Sequence, residues 1–249
     1  MSFDLTGKVA LVTGANTGIG QAIALGLAAA GADLALAGRS DPSETLRAAS
    51  ALGRRTVSVT ADLSSTAPIE ALVAEVLDKL GRIDILVNNA GIIRRADLLD
   101  MSEADWDAVL DTNLKSLFFL SQAVARHMAV RGSGKIINIA SLLSFQGGVR
   151  VPGYAAAKSG VAGVTKAMAN ELAVKGVQVN AIAPGYITTN NTAALVADAT
   201  RNRQILERIP AGRWGAPEDI AGPAVFLASS ASDYVTGHIL AVDGGWLAR

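Results

Sequence analysis

The sequence contains no cysteine and only two histidines among its 249 residues. Disulfide bonds, thiolate metal sites and cysteine nucleophiles are therefore excluded. His127 lies in a stretch of helical periodicity and His238 precedes an apolar run, and we interpret both as structural residues. No metal site is predicted.

The chain also lacks an excess of charge of either sign. Its 22 Lys and Arg residues balance 22 Asp and Glu residues, and no block of like charges occurs. The composition therefore gives no electrostatic footprint for nucleic acid or an anionic membrane. It also gives no overall steering toward a strongly acidic partner such as an acyl carrier protein.

Long hydrophobic runs are missing as well. The first residues, Met-Ser-Phe-Asp-Leu-Thr-Gly-Lys, have no basic segment followed by a long apolar one, which a secretion signal requires. No uncharged apolar segment reaches the roughly 18 residues of a membrane-spanning helix. We therefore expect a soluble, cytoplasmic protein.

Aromatic residues make up only 4% of a chain that is half apolar, so Ala, Val, Leu, Ile and Gly must form the core. Short β-branched runs alternate with longer segments whose apolar residues recur every three or four positions. This alternation predicts βαβ units and a single α/β domain, residues 1–249, with a parallel sheet of about seven strands covered on both faces. The predicted strands are Val9–Thr13, Asp33–Ala37, Thr56–Ala61, Ile83–Asn88, Lys135–Ala140, Gln178–Ile182 and Ile239–Val242; the clearest helical segments are Ile19–Ala30, Pro68–Leu80, Glu103–Ala129 and Ala156–Ala173.

One segment interrupts this rhythm. Residues 186–212 are first polar, then helical, and end in the turn Pro210-Ala-Gly212. An insertion of this length beside the strand ends is typical of a lid over a substrate site. A surface helix without a function is the alternative.

A glycine-rich turn follows the first predicted strand, in Thr13-Gly-Ala-Asn-Thr-Gly-Ile-Gly20. Glycines permit a tight turn and let the backbone approach a pyrophosphate, which binds at the N-terminus of the following helix. The spacing is Gly-x-x-x-Gly-x-Gly rather than the more common Gly-x-Gly-x-x-Gly. A plain turn would not require three glycines with Asn16 and Thr17 between them.

Tyr154 and Lys158 are separated by one helical turn, and Ser141 precedes them at the end of an apolar strand. On a helix this spacing places both side chains on one face. A nearby ammonium favours the phenolate, so we expect Lys158 to lower the pKa of Tyr154, which could then act as a general acid or base. Taken alone, the pair is more typical of a solvated helix face.

Together these motifs resemble those of the classical short-chain dehydrogenase/reductases over essentially the whole length of the chain. The resemblance implies a Rossmann-type, doubly wound sheet of order 3-2-1-4-5-6-7, a nicotinamide cofactor and a homotetramer. Ser141 and Tyr154 would bind the substrate oxygen, Lys158 would hold the nicotinamide ribose, and Asn113 would hold a water linking Lys158 to solvent. The cofactor-binding residues that it implies are Gly14, Asn16, Thr17, Gly18, Ile19, Gly20, Arg39, Asp62, Leu63, Asn88, Ala90, Gly91, Tyr154, Lys158, Pro184, Gly185, Ile187 and Thr189.

Several segments are similar, within that family, to bacterial enzymes of uronate breakdown, the 2-dehydro-3-deoxy-D-gluconate 5-dehydrogenases and the 4-deoxy-L-erythro-5-hexoseulose uronate reductases. These segments are 90–95, 144–152, 183–192, 208–215 and 243–249. The similarity implies a small keto acid with one carboxylate and several hydroxyls as the substrate.

A carboxylate substrate predicts an arginine anchor near the catalytic tyrosine. Arg94 and Arg95 follow the fourth strand, and Arg150 lies one helical turn before Tyr154. Each arginine also fits a surface or interface salt bridge. The predicted substrate contacts are Arg94, Gln146, Arg150 and Tyr186.

The loop after the second strand leaves the choice of cofactor open. Gly38 occupies the position where an acidic residue would bind the adenosine 2′-hydroxyl of NAD. Arg39 beside it could bind the 2′-phosphate of NADP, whereas Asp41 could oppose that phosphate. We predict NAD or NADP.

Two other functions remain open. One is a reductase of another substrate class within the same fold, such as a 3-oxoacyl-carrier-protein reductase. The other is a dinucleotide sensor without catalytic activity, although Ser141, Tyr154, Lys158 and Asn113 are all present.

Overall fold

The computed structural model of the protein describes residues 2–249. Seven strands form one parallel sheet in the order β3-β2-β1-β4-β5-β6-β7, which confirms the predicted doubly wound α/β fold. The strands are β1 (Val9–Thr13), β2 (Asp33–Gly38), β3 (Thr56–Thr60), β4 (Ile85–Asn88), β5 (Gly134–Ile139), β6 (Val177–Pro184) and β7 (Ile239–Val242). The largest differences from prediction are that β4 begins at Ile85 instead of Ile83 and that β6 extends from Val177 to Pro184 instead of from Gln178 to Ile182.

The helices are α1 (Gly18–Ala29), α2 (Ser43–Ala51), α3 (Ile69–Leu80), α4 (Glu103–Leu110), α5 (Ser116–Arg131), α6 (Pro152–Leu172), α7 (Ala193–Ala197), α8 (Ala199–Leu206) and α9 (Glu218–Ala228). The prediction of a single helix over Glu103–Ala129 is wrong, because a π-helical turn at Asp111–Lys115 separates α4 from α5. In that turn, Asn113 bonds through its side chain to the backbone of Ile92. Helices α2 and α9 were not predicted from periodicity.

The central strands supply a core to both faces of the sheet. Alternate residues of β1 point in opposite directions: Val9 and Leu11 pack with α3 and α5, whereas Ala10 and Val12 pack with α1 and α9. Every residue of β1, β4 and β5 is buried. This double burial explains why these strands read as continuous apolar runs rather than as alternating patterns.

The strand order reverses between β1 and β4. At such a point the loops that leave the two strands run to opposite faces of the sheet and open a crevice at its carboxyl edge. The glycine turn after β1 and Ser141 after β5 both lie at this edge. None of the helices within residues 2–249 has the length and apolarity needed to span a bilayer.

Candidate active site

A cleft of about 940 Å³ lies at the carboxyl edge of the sheet. The glycine turn, the ends of β4 and β5, the first turns of α6 and the segment 184–208 surround it. The cleft therefore brings together motifs that are distant in the sequence. Its size and position suit a dinucleotide and a small substrate.

The glycine turn is packed tightly against the loop after β4. A Cβ atom on Gly20 would lie 2.3 Å from both Asn89 Nδ2 and the Gly14 carbonyl oxygen, so no other residue fits there. Asn89 Nδ2 donates to the Thr13 and Gly14 carbonyls at 3.0 and 2.9 Å. Thr13 Oγ1 accepts the backbone N–H groups of Asn89 and Ala90, each at 3.0 Å. Asn89 and Thr13 thus shape the turn, although sequence reasoning did not single them out.

The N-terminus of α1 follows this turn. Thr17 occupies the N-cap position but makes no capping bond through its side chain. The first residues of the helix line the cleft, where an uncapped helix N-terminus offers N–H groups and partial positive charge to a pyrophosphate. The described residues therefore fit a dinucleotide cofactor.

Lys158 is buried in α6, with only 4% of its surface exposed. Its Nζ donates to the Ile139 carbonyl at the end of β5, at 2.5 Å, and lies 5.5 Å from the centroid of the Tyr154 ring. No carboxylate of residues 2–249 forms a salt bridge with it. Burial lowers the pKa of Lys158 to about 8.

Tyr154 lines the cleft beside Ser141, as predicted. Its electrostatics differ from the prediction: burial raises the pKa of Tyr154, and this effect outweighs the lowering by the Ser141 hydroxyl and the Arg95 guanidinium. The expectation that Lys158 would lower this pKa is wrong for the protein without cofactor. The lysine is itself desolvated, and its Nζ is turned toward the Ile139 carbonyl.

A short turn holds the start of α6 against the end of β5. Ser141 Oγ accepts the Leu143 N–H at 3.2 Å, Ser144 Oγ donates to the Lys158 carbonyl at 2.6 Å, and Ser159 Oγ donates to the Leu143 carbonyl at 3.1 Å. These bonds tie the strand end and the helix together. They fix the spacing of Ser141, Tyr154 and Lys158.

Asn113 lies outside the set of residues that line the cleft. Its Oδ1 accepts the Ile92 N–H and its Nδ2 donates to the Ile92 carbonyl, both at 2.8 Å. Both polar ends of the side chain bind Ile92, so the predicted water would have to bind the backbone of Asn113. The side chain instead fixes the loop after β4.

Most of the predicted cofactor residues line the cleft. They are Gly14, Asn16, Thr17, Gly18, Ile19, Gly20, Arg39, Asp62, Leu63, Ala90, Gly91, Tyr154, Lys158, Pro184, Gly185 and Thr189. Asn88 and Ile187 do not line it, and their contact with a cofactor stays a prediction. Asn88 is buried and donates to Ser121 Oγ and Asn138 Oδ1, whereas Ile187 packs into the core.

Three of the four predicted substrate residues, Arg94, Gln146 and Tyr186, line the cleft. Arg150 does not line the cleft. It has a positive φ of 65° and forms a salt bridge of 3.0 Å with Asp97, so a substrate contact at Arg150 stays a prediction. Arg95 lines the cleft and donates to the Asn191 carbonyl at 3.1 Å.

The charge inside the cleft is strongly unbalanced. Its lining contains six cationic residues, Arg39, Arg94, Arg95, Lys158, Arg201 and Arg208, and one carboxylate, Asp62. Two of the cations have acidic neighbours: Arg39 lies 3.8 Å from Asp62, and Arg94 lies 3.3 Å from Asp105. The net charge of zero therefore conceals a site suited to anions. Sequence reasoning missed Arg201, Arg208 and Trp246, which reach the cleft only through the fold.

At the adenosine end of the cleft, as in the sequence, some features fit NAD and others fit NADP. Gly38 ends β2 without an acidic side chain, and the largely exposed Arg39 lines the cleft. Asp62 accepts the Ser64 N–H at 2.9 Å, and hydrogen bonds from Ser64 lower the pKa of Asp62.

Among residues 2–249, no group of three or more His, Cys, Asp and Glu residues could hold a metal ion.

Comparison with known proteins agrees with this arrangement. Residues 14–247 match the family model described as enoyl-(acyl carrier protein) reductase. The chain belongs to the classical short-chain dehydrogenase/reductases, a family of NAD(P)-dependent oxidoreductases.

Relatives with more specific names match over nearly the whole chain. The 2-dehydro-3-deoxy-D-gluconate 5-dehydrogenase of Escherichia coli is 61% identical over 100% of this chain and 98% of its own. A crystal structure of a candidate 2-deoxy-D-gluconate 3-dehydrogenase from Agrobacterium tumefaciens, with bound NADP, is 62% identical with a TM-score of 0.93, covering 99% of both chains. A gluconate 5-dehydrogenase from Burkholderia cenocepacia, in complex with NADP and tartrate, is 43% identical with a TM-score of 0.94, covering 99% of this chain and 98% of that one.

The bonds of Asn89 to the glycine turn predict that Asn89→Ala weakens cofactor binding. Loss of two neutral hydrogen bonds leaves the Thr13 and Gly14 carbonyls without their donor, and we expect the Kd for NADP to rise about 5- to 100-fold. Isothermal titration calorimetry measures this Kd, and circular dichroism verifies that the fold is retained. An unchanged Kd in a folded variant would show that the amide does not shape the site.

The lowered pKa of Lys158 predicts a pH-dependent stability of the cofactor-free protein. Between about 8 and the ordinary value of 10.5, the unfolded chain binds more protons than the folded chain. The free energy of unfolding should therefore rise with pH over this window. Urea unfolding of wild type and Lys158→Met at pH 7.5 and 9.5, at one protein concentration, should show a rise about 1–2 kcal/mol larger in wild type. Parallel changes in the two proteins would contradict the burial of a titrating lysine.

Proposed function

We propose that the chain interconverts a secondary alcohol and a ketone on a small uronate-derived keto acid. The substrate is 2-dehydro-3-deoxy-D-gluconate or a compound of the 4-deoxy-L-erythro-5-hexoseulose uronate type. The observation that carries this proposal is the excess of cationic side chains in the cleft that contains Tyr154. The high identity to 2-dehydro-3-deoxy-D-gluconate 5-dehydrogenases supports it.

A bound nicotinamide would donate or accept the hydride. Tyr154 exchanges the proton at the substrate oxygen, and Ser141 bonds that same oxygen and orients it. Its raised pKa keeps Tyr154 protonated in the free protein, so it is ready to act as an acid in the reducing direction. Lys158 places an ammonium near Tyr154. It would also bind the ribose of the cofactor and so help to orient the nicotinamide relative to Tyr154.

We propose that the adenosine end accepts either NAD or NADP. Because Gly38 has no acidic side chain, nothing at that position repels the 2′-phosphate of NADP, and the Arg39 guanidinium can bind this phosphate. Asp62 beside Arg39 offers an acceptor for an unphosphorylated ribose. The solved relatives with bound NADP support the phosphorylated form.

The segment 186–212 acts, in this proposal, as the substrate lid of a single domain spanning residues 1–249. It contains α7 and α8, and its buried residues Ile205 and Ile209 pack with Leu142 and Trp246. The lid thus has a hydrophobic base that can position the polar residues it presents to the cleft. A cytoplasmic homotetramer is the expected assembly.

The alternative is an enzyme that acts on acyl groups bound to a carrier protein, which the description of the matching family names. Such a substrate presents a neutral acyl chain to the catalytic tyrosine. Arg95, Arg201 and Arg208 would then face an uncharged group without a carboxylate to bind. The cleft therefore favours the keto acid. A dinucleotide sensor without activity has no use for the preserved arrangement of Ser141, Tyr154 and Lys158.

The proposal predicts a clear order of substrates. With NAD or NADP, the kcat/KM for 2-dehydro-3-deoxy-D-gluconate should exceed that for the uncharged D-glucitol, and also that for acetoacetyl-CoA reduction with NADH or NADPH, by about 100-fold or more. Steady-state assays of the purified protein measure this. Faster turnover of acetoacetyl-CoA would overturn the keto-acid assignment.

Replacement of the proton donor tests the mechanism separately. Tyr154→Phe should lower kcat about 10²- to 10⁴-fold, because the ring is retained and only the hydroxyl is lost. Cofactor affinity should change little, which calorimetry checks. Retention of wild-type kcat would remove Tyr154 from proton transfer.

A further inference from the structure

Arg208 is a cleft-lining cation that lacks a protein counter-ion. Two neighbours on the same segment use their donors within the protein: Arg203 lies 3.7 Å from the Glu207 carboxylate, and Arg201 donates to the neutral Gln204 amide at 3.0 Å. Within residues 2–249, the Arg208 side chain takes part in no salt bridge and no hydrogen bond. An arginine held at a cleft with all its donors free is an anion-binding group.

The Arg208 guanidinium rests instead on the indole ring of Trp246. Its central carbon lies 4.1 Å from the ring centroid, a cation–π contact that orients the planar group without using its N–H donors. Trp246 is 4% exposed, although it lies only three residues from the end of the chain. A buried aromatic platform therefore presents the charge to the cleft.

Trp246 also fixes a second cleft residue. Its Nε1 donates to Gln146 Oε1 at 3.3 Å. An indole nitrogen is only a donor, so the oxygen of the Gln146 amide must face it, and the Gln146 NH₂ group remains available to the cleft. Trp246 thus orients both the Arg208 guanidinium and the Gln146 amide.

The tryptophan is itself held firmly. The Tyr186 ring lies 4.7 Å from the Trp246 ring, and Leu142, Ile205 and Ile209 complete the apolar cluster around it. Asp243 accepts the Gly245 and Leu247 N–H groups at 2.8 and 2.9 Å, which fixes the backbone on both sides of Trp246. The C-terminal segment is therefore an ordered part of the site.

We propose that Arg208 and Gln146, both positioned by Trp246, form the recognition site for the substrate carboxylate and its neighbouring hydroxyl. Arg208 binds the carboxylate oxygens and the Gln146 NH₂ donates to the hydroxyl, while Trp246 acts as a positioning residue that touches neither. This inference rests on the proposed function for the identity of the substrate, and it names the residues that read its acidic end.

The direct test measures binding to protein saturated with NADP, with tartrate as the probe and threitol, its uncharged counterpart, as the matched ligand. Arg208→Gln should raise the Kd for tartrate about 10- to 100-fold, because a charged hydrogen bond is lost. Arg203→Gln removes a nearby arginine, in α8, that does not line the cleft, and it should leave this Kd unchanged. Equal weakening by the two variants, or no weakening by Arg208→Gln, would overturn the proposal.

Variants of Trp246 test the positioning role. Trp246→Phe keeps a smaller aromatic face under Arg208 and loses the N–H group that binds Gln146, so the Kd for tartrate should rise about 2- to 10-fold. Trp246→Leu removes the face as well and should approach the effect of Arg208→Gln. Both should raise KM for 2-dehydro-3-deoxy-D-gluconate more than they lower kcat. A fall in kcat with KM unchanged would contradict a role in positioning the carboxylate site, and thermal unfolding verifies that the variants fold.

The measurement of tartrate binding distinguishes a failure of the proposed function from a failure of the proposed carboxylate site. If wild type binds tartrate through Arg208 but turns over none of the keto acids, the substrate assignment fails and the carboxylate site stands. If wild type oxidises 2-dehydro-3-deoxy-D-gluconate and Arg208→Gln changes neither KM nor the Kd for tartrate, the proposed function stands and this inference fails.

Discussion

The burial of Lys158 constrains the architecture of the whole site. An ammonium with 4% exposure and no carboxylate partner has its pKa lowered to about 8, which costs roughly 3 kcal/mol at neutral pH. The Ile139 carbonyl at the end of β5 is its hydrogen-bond acceptor, so α6 must pack closely against that strand. The serine bonds between residues 141–144 and α6 maintain this packing. Tyr154 and Ser141 are consequently held beside each other at the edge of the cleft.

The distribution of charge explains how a chain of zero net charge can select an anion. Most arginines outside the cleft are paired with carboxylates, as Arg213 is with Asp219 and Arg150 with Asp97. Inside the cleft, Arg95 and Arg208 have no carboxylate partner among residues 2–249, and a single acid, Asp62, lines the far end. The overall balance therefore says little about the site, because the fold concentrates charges that the sequence disperses.

Sequence patterns predicted the parallel sheet, and the family resemblance, carried by local motifs at the strand ends, implied its strand order and most of the residues that line the cofactor cleft. The features that were missed or misplaced share a physical cause, because tertiary structure decides where each side chain points. Asn88 and Asn89 are adjacent, yet one is turned into the core and the other toward the glycine turn, which only the pleat of β4 decides. Arg150 lies one turn from Tyr154 in sequence, but precedes α6 with a positive φ that directs it to Asp97. Arg208 and Trp246 meet through tertiary packing alone, and no local pattern marks them.

We infer that this cleft orients an anionic substrate, with its carboxylate beneath the proposed lid and its reacting carbon at Tyr154. The most direct measurement is a crystal structure of the protein with NADP and tartrate. In that crystal structure we expect a tartrate carboxylate within hydrogen-bonding distance of the Arg208 guanidinium, and a tartrate hydroxyl beside the Gln146 amide. A carboxylate bound to Arg94, or tartrate absent from the cleft while bound elsewhere, would contradict this inference.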